Sequence, residues 1–369
     1  MTAPLDLPVD LPADPPVATD LRYSTEEEDL RAAVRALLAD RAPHPDVLAR
    51  AESGAGHDPA LWRTLAVEIG TAALLVPEKQ GGQDAGHRAA AVVLEELGRG
   101  VAQLPFLTSS VIATETLLAC DTPAAAALLP ALAEGAVCVP AVPLTATRAR
   151  PAGDTVTSVA DAAGADTFLL LTDSGLYAVP AAEARITPQV PLDLTRPLAE
   201  VRLDGVRGEL LATADAGRAA LDRGLLAGAG LLASEQLGLA DWCLTETVGY
   251  LRTRHQFNRP VGSFQALKHR LARLWLDVAS ARAAARAAAD ALATGAADAP
   301  LLVSVAQAHC SGVAVRAAEE CVQLHGGIGM TWEHPAHLYL KRAKADSLAL
   351  GTAGHHRTLL ADLADIPAP

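Results

Sequence analysis

The spacing of apolar residues changes twice along this chain, and that double change limits its architecture. From Tyr23 to about Gly135 the apolar residues recur at helical spacing. Ser24-Thr25-Glu26 opens a helix with acidic residues in its first turn, where the helix dipole favours them. Leu30, Val34, Leu37 and Leu38 form the stripe of that helix. Asp58-Pro59 predicts an N-cap followed by proline at the first helical position. The run Val76-Pro77-Glu78-Lys79-Gln80-Gly81-Gly82 interrupts the pattern, and a helix through Val92, Leu94 and Leu97 ends near Gly98-Arg99-Gly100.

Between about Ala136 and Leu211 the apolar runs become short and alternating: VCVPAV, TVTSV, TFLLLT, GLYAVP and AEVRLDG. Gly, Pro and Asp separate them, so they read as strands, with Thr172-Asp173-Ser174-Gly175 as a hairpin turn. From about Asp215 to Asp365 the helical period returns. One long helix covers Arg218 to about Arg252, and a loop with Asn258, Pro260 and Gly262 follows it. Ser263 is placed to cap the next helix, whose core stripe is Leu267, Leu271, Leu274 and Val278. Two more helices, roughly 299–324 and 334–363, complete the pattern. The expected fold class is α+β multidomain: an N-terminal helical domain (23–136), a small middle β domain (137–212) and a C-terminal four-helix bundle (213–369). Residues 1–22 are acidic and Pro-rich, and read as a loose arm or as a strap across a neighbouring subunit.

Composition narrows the function. Half of the residues are apolar, which excludes a mainly disordered chain. The formal net charge is -13 with no dense basic run, which argues against a nucleic-acid binder and against attraction to anionic lipid. No apolar run reaches about 18 residues and the N-terminus lacks a signal-peptide pattern, so a cytoplasmic protein without a membrane span is expected. The five cysteines, Cys120, Cys138, Cys243, Cys310 and Cys321, form no C-x-x-C and no zinc-spaced array, so reduced thiols and no metal site are expected.

Two segments carry chemistry. The first runs Tyr250-Leu251-Arg252-Thr253-Arg254-His255-Gln256-Phe257-Asn258-Arg259-Pro260-Val261-Gly262-Ser263-Phe264-Gln265. Arg254 offers a forked donor set to a phosphate, and Phe257, three residues on, offers an apolar face to a heterocycle. The bland alternative is a surface ion pair at Arg254 and a core role for Phe257. The second segment is Gln323-Leu324-His325-Gly326-Gly327-Ile328-Gly329-Met330-Thr331-Trp332-Glu333-His334-Pro335. Its glycines allow close backbone approach and expose donors to a phosphate, although ordinary turns use the same pattern.

Together the two segments resemble the acyl-CoA dehydrogenase family, whose pattern there is an R-x-x-F-G loop ending in F-Q, then Q-x-x-G-G-x-G. Leu237-Gly238-Leu239-Ala240, Val76-Pro77-Glu78 with Gly81-Gly82, Glu95-Glu96-Leu97-Gly98-Arg99, and Gly351-Thr352 with Arg357 extend the resemblance over most of the chain after residue 23. It implies FAD as cofactor, held by Arg254, Phe257, Gln323, Gly326 and Gly327, with Gln265 and Thr352 as lesser contacts that could equally be helix-start or turn residues. In the family the glycine segment completes the FAD site across a dimer contact.

The sequence departs from the family where the base should be. The reaction removes a proton from the α-carbon of an acyl thioester while hydride leaves the β-carbon, and a carboxylate must reach that proton. Leu350 stands where the usual Glu would be, and Gly228 stands at the alternative position on the long helix. Glu235 and Asp346 are the candidate substitute carboxylates, against the alternative that each serves solvent or an ion pair, and His355 and His356 are further titratable groups nearby, against the alternative of a polar helix face. The R-D-A run reads Lys341-Arg342-Ala343, which leaves its arginine without an acidic partner. The β domain holds Thr155-Val156-Thr157-Ser158-Val159 in place of a W-x-T or T-E-P run. The expected function is a flavoprotein subunit for α,β-dehydrogenation of an acyl-CoA. It would lack its own base and pair with a homologous Glu-bearing subunit, as in the α2β2 enzymes of bacterial sterol side-chain breakdown that this chain resembles. The alternatives are a self-sufficient homo-oligomer with a relocated base, and a flavin-free acyl-CoA-binding or scaffold subunit.

Overall fold

The computed structural model describes residues 20–365 apart from 204, 206 and 207; the N-terminal arm lies almost wholly outside the described residues. Seven short helices form the N-terminal unit: α1 (Thr25–Arg41), α2 (His44–Ser53), α3 (Pro59–Arg63), α4 (Gly86–Arg99), α5 (Thr114–Cys120), α6 (Pro123–Ala126) and α7 (Leu129–Ala133). A π-helical segment, Phe106–Ala113, leads directly into α5. The starts of α1 and α3 are fixed locally. Ser24 and Glu27 form a reciprocal capping box, and Asp58 accepts from the amides of Ala60 and Leu61.

Seven strands follow: β1 (Cys138–Pro140), β2 (Thr155–Ala160), β3 (Thr167–Leu171), β4 (Gly175–Pro180), β5 (Arg185–Gln189), β6 (Leu198–Arg202) and β7 (Glu209–Thr213). They make two sheets, ordered β1-β3-β4-β7 and β2-β6-β5. The β3–β4 turn is closed by the Thr172 amide on the Gly175 carbonyl (2.8 Å). The Thr155–Val159 run forms β2, with a bulge between Val156 and Val159.

The C-terminal unit holds α8 (Ala214–Thr253), a hairpin of β8 (His255–Gln256) and β9 (Arg259–Pro260), α9 (Gln265–Thr294), α10 (Ala299–His325), α11 (Ala336–Asp346) and α12 (Ala353–Leu363).

 The last two are separate helices, where the sequence pattern predicted one helix over 334–363. The break at 347–352 carries Leu350 at φ 53° and Gly351 at φ 108°, and the Leu350 amide donates to the Leu144 carbonyl of the β unit (2.8 Å). Docking onto the β unit therefore overrides helical continuity. A second correction concerns Ser263. Phe264 takes the N-cap position of α9 with no side-chain cap, and the Ser263 hydroxyl is buried without a partner.

The long helix α8 is the spine of the molecule, packed against α4, α5, α9 and α10. Two quoted motifs meet at its crossing with α4. A methyl on Gly98 would lie 2.1 Å from the Glu235 carbonyl oxygen, and one on Gly238 would lie 1.9 Å from that of Glu95. Only glycine on both helices permits this approach. Beside the crossing, buried Glu95 and Glu96 accept from Arg31 at 3.1 and 2.9 Å. Helix α10 is apolar and long enough, by length and composition alone, to cross a membrane. Its apolar surface is used inside the bundle, against α8, α9 and α12.

Candidate functional site

The first chemical segment begins where α8 ends. Arg254 is the C-cap residue, and its carbonyl accepts from the Val261 amide (2.8 Å), which closes the β8–β9 hairpin beneath it. The hairpin turn is the pair Phe257-Asn258, both at positive φ (53° and 60°), as a type I′ turn requires. Asn tolerates that conformation, whereas a bulky aromatic there is strained. The Phe257 ring is nevertheless 85% exposed, with an edge-to-face contact to Phe264 (6.0 Å). Arg259 lies over the other ring, its guanidinium carbon 3.9 Å from the Phe264 centroid. Arg254 is exposed and, among the described residues, has no carboxylate partner; Gln265, the first residue of α9, is exposed as well. Neither bland reading fits, because Arg254 is unpaired and Phe257 is outside the core.

The second segment caps α10. Gln323 is exposed in the last turn, and Gly326 ends the helix at φ 64° and ψ −136°. A Cβ built on Gly326 or Gly327 meets nothing within 4 Å, so this backbone faces open space. The structure brings the two segments together through Tyr250, four residues before Arg254, which stacks on His325 at 4.4 Å. Thr352 is not part of this grouping. It caps α12 by accepting from the His355 amide (3.2 Å), beside the β unit.

These residues fit a dinucleotide such as FAD. Unengaged Arg254, Gln265 and Gln323 side chains and the open Gly326-Gly327 backbone suit the oxygens of a diphosphate, and Phe257 suits a ring. Among the described residues the Arg254, Gln265 and Gln323 side chains have no hydrogen-bond partner, and the Gly327 amide donates to none, which is the feature expected of a ligand-facing set.

The two positions expected to carry a base also meet each other. A Cβ on Gly228 would lie 2.6 Å from Ile112 Cγ1 and 3.3 Å from Leu350 Cδ1. Ile112 and Leu350 are each 3% exposed, so the spot is a closed plug of hydrocarbon. Burying such a side chain contributes roughly 1.5–3 kcal/mol, so the plug is part of the core. Leu350 also borders a cleft of about 360 Å³ shared with Ser304, His355 and His356. The His356 Nε2 lies 3.0 Å from the Leu350 carbonyl, and burial lowers its pKa. An adjoining cleft of about 440 Å³ on the β unit is lined by Thr145, Thr147, Thr155 and Thr157 with Arg148 and Arg150, a set the sequence reading missed.

Neither substitute carboxylate reaches the plug as a free base. Glu235 accepts from Arg342 (2.6 Å) and from Arg196, and these cations hold its carboxyl below the usual range despite burial. Asp346 is fully buried; desolvation and the charge of Glu235 push it up to about 8, against a weaker pull from Arg196 at 3.5 Å. Arg342 has acidic partners after all, a correction to the sequence reading. It pairs with Asp193 and Glu235 and donates to the Thr195 carbonyl (2.7 Å). The cluster joins the β unit to α8 and α11. Asp193 and Arg342 are 149 residues apart, a separation at which no local pattern could pair them.

Comparison with known proteins agrees with this geometry. Residues 24–136 match the acyl-CoA dehydrogenase N-terminal domain and residues 215–364 the acyl-CoA dehydrogenase C-terminal domain. The chain is 38% identical over 336 residues to acyl-CoA dehydrogenase IpdE2 of Mycolicibacterium smegmatis, covering 89% of this chain and 95% of that protein. Acyl-CoA dehydrogenase FadE27 of Mycobacterium tuberculosis is 32% identical over 346 residues, with 84% and 90% covered. Among solved structures, a variant of the Tcur3481–Tcur3483 steroid ACAD superposes with a TM-score of 0.81 at 30% identity, covering 92% of this chain and 98% of that one. The ChsE4–ChsE5 complex of Mycobacterium tuberculosis gives 0.82 at 26% identity, with 95% and 100% covered. The chain therefore belongs to the acyl-CoA dehydrogenase family of FAD-dependent oxidoreductases acting on CH–CH groups.

Proposed function

We propose that this chain is the base-free subunit of a heteromeric acyl-CoA dehydrogenase. It holds FAD through Arg254, Phe257, Gln265, Gln323 and the Gly326-Gly327 backbone, and a homologous subunit supplies the glutamate. One observation carries the proposal: both places where the family keeps its base are hydrocarbon, and they pack against each other. FAD, when bound, supplies the hydride acceptor for the β-carbon. Arg254 neutralises phosphate charge, and the Phe257 ring excludes water from one side of the ligand. Leu350 cannot take a proton, Glu235 is already committed to two arginines and Asp346 is sealed in the core, so none of these positions offers an accessible carboxylate for the α-proton.

The similarity to the Tcur3481–Tcur3483 steroid ACAD and the ChsE4–ChsE5 complex supports a two-chain enzyme and a steroid-derived acyl-CoA as substrate. Five buried free thiols suit the cytoplasm. The test is dehydrogenation of acyl-CoA thioesters by the chain alone and after co-expression with a Glu-bearing homologue. Turnover only in the co-expressed sample is expected. Comparable turnover by the chain alone would overturn the proposal and point to a self-sufficient enzyme. A colourless preparation even with the partner would point to a flavin-free scaffold.

A further inference from the structure

One residue of α8 meets two histidines from the end of α10 and the loop that follows it, about 80 residues further along the chain. Glu246 lies on α8, His325 is the last residue of α10, and His334 lies in the loop before α11. Each offers a ligand atom, and these atoms lie within 4.8 Å of one another. His325 is 2% exposed, and its Nε2 is buried without a hydrogen-bond partner. Its other nitrogen, Nδ1, lies 2.7 Å from the Cys321 carbonyl. That contact places the ring proton on Nδ1 and leaves Nε2 as a bare lone pair. A backbone carbonyl behind Nδ1 is the usual support of a metal-bound imidazole. The Tyr250 ring on one side and the His334 ring (4.2 Å, tilted 41°) on the other fix its orientation.

We propose that Glu246, His325 and His334 bind one divalent transition-metal ion of zinc's class. Two imidazoles and a carboxylate are a ligand set zinc uses, with a fourth position left to water. Ligand atoms around tetrahedral zinc stand about 3.4 Å apart at bond lengths of about 2.0–2.1 Å, so the set closes by roughly 1 Å on binding. The site has one internal competitor. The Ala336 amide donates to His334 Nδ1 (3.2 Å), which places the proton of that ring on Nε2. Coordination through Nε2 moves this proton to Nδ1 and breaks the contact with Ala336. Releasing a buried amide costs about 1–3 kcal/mol, which lowers the affinity without abolishing it. The ion would tie α8 to the loop that carries Gly326 and Gly327. The inference stands independently of the flavin reading, because none of its three ligands is among the proposed FAD contacts.

The test uses the full chain, stripped with a chelator and dialysed, then titrated calorimetrically with zinc chloride. One ion per chain is expected, with a rise in melting temperature. Glu246→Gln and His334→Gln should each weaken binding at least tenfold and abolish that rise. No saturable binding would overturn the inference, as would one-to-one binding that is unchanged in both variants. Cobalt(II) provides a readout that does not depend on the variants folding. Intense tetrahedral d–d bands in the unmutated chain support the site, and only the weak bands of the aqua ion contradict it.

Discussion

The two ends of the proposed reaction site are built in opposite ways. At the hairpin and glycine loop, polar and aromatic groups are exposed: among the described residues Arg254 has no carboxylate partner, Phe257 is 85% exposed and Gly326-Gly327 faces open space. At Ile112, Gly228 and Leu350 the opposite holds, with side chains closed on one another and no polar group among the three. Under the proposed function, the difference means that cofactor binding and proton abstraction are separable in this fold. On the proposed reading, one end keeps what a ligand needs at a cost in strain and exposure, while the other holds core packing where a reactive carboxylate would stand.

The largest effect is expected from reversing that trade. Gly228→Glu forces a carboxylate side chain against Ile112, whose carbons lie 2.6 and 2.8 Å from the new Cβ. Overpacking together with an unpaired buried charge should destabilise the chain by about 3–5 kcal/mol in chemical denaturation. A loss below about 1 kcal/mol would mean that the plug is an open pocket.

Asp346 sharpens the comparison from beneath the plug, one turn before Leu350. Its carboxyl is pushed up to about 8 in the fold, above its ordinary 3.8 when unfolded. The folded state therefore binds the extra proton, and this group's contribution to stability falls as pH rises from about 4 to about 8. Asp346→Asn should remove that fall, with a gain over the unmutated chain on the order of a few kcal/mol at pH 8 and less at pH 5. Glu235 works in the opposite sense, since its lowered pKa stabilises the fold above the unfolded value, and because its charge acts on Asp346 the difference between the two proteins reads the pair together. Melting curves at several pH values give the answer, and a gain independent of pH would contradict it.

At the open end, Arg254→Ala should weaken FAD binding by about 1.5–3 kcal/mol, or roughly 10–150-fold, with little change in melting temperature. Quenching of flavin fluorescence measures the first quantity. Arg254→Lys should recover only part of the loss, because an ammonium lacks the planar fork. The smallest effect is expected at Phe257. Replacing it by Asn relieves a positive-φ aromatic, so stability should rise by about 0.5–1 kcal/mol while FAD affinity falls. A fall in both would assign Phe257 to packing.

Much of this architecture was legible because it is local. Ser24 and Asp58 cap their helices through neighbouring amides, and Thr172–Gly175 turns a hairpin through its own backbone. The glycine motifs at Gly98 and Gly238 were also visible, and the structure supplies their reason, a helix crossing too close for any side chain. What was hidden depends on contacts between distant segments. The helix expected over 334–363 breaks because Leu350 bonds to Leu144, and Ser263 yields the cap position to Phe264. Arg342 finds acidic partners on β-unit and α8 segments that no motif links to it. The same limit concealed the Glu246, His325 and His334 cluster, because Glu246 lies about 80 residues before the two histidines.

Proton exchange tests the central claim most directly, since it reports the base without requiring hydride transfer. The chain alone, incubated with an acyl-CoA in heavy water, should leave the α-hydrogens unexchanged by mass spectrometry, whereas the complex with a Glu-bearing homologue should exchange them. Exchange by the chain alone at a rate similar to the complex would contradict the account, because it would show a base that Leu350 and Gly228 cannot provide.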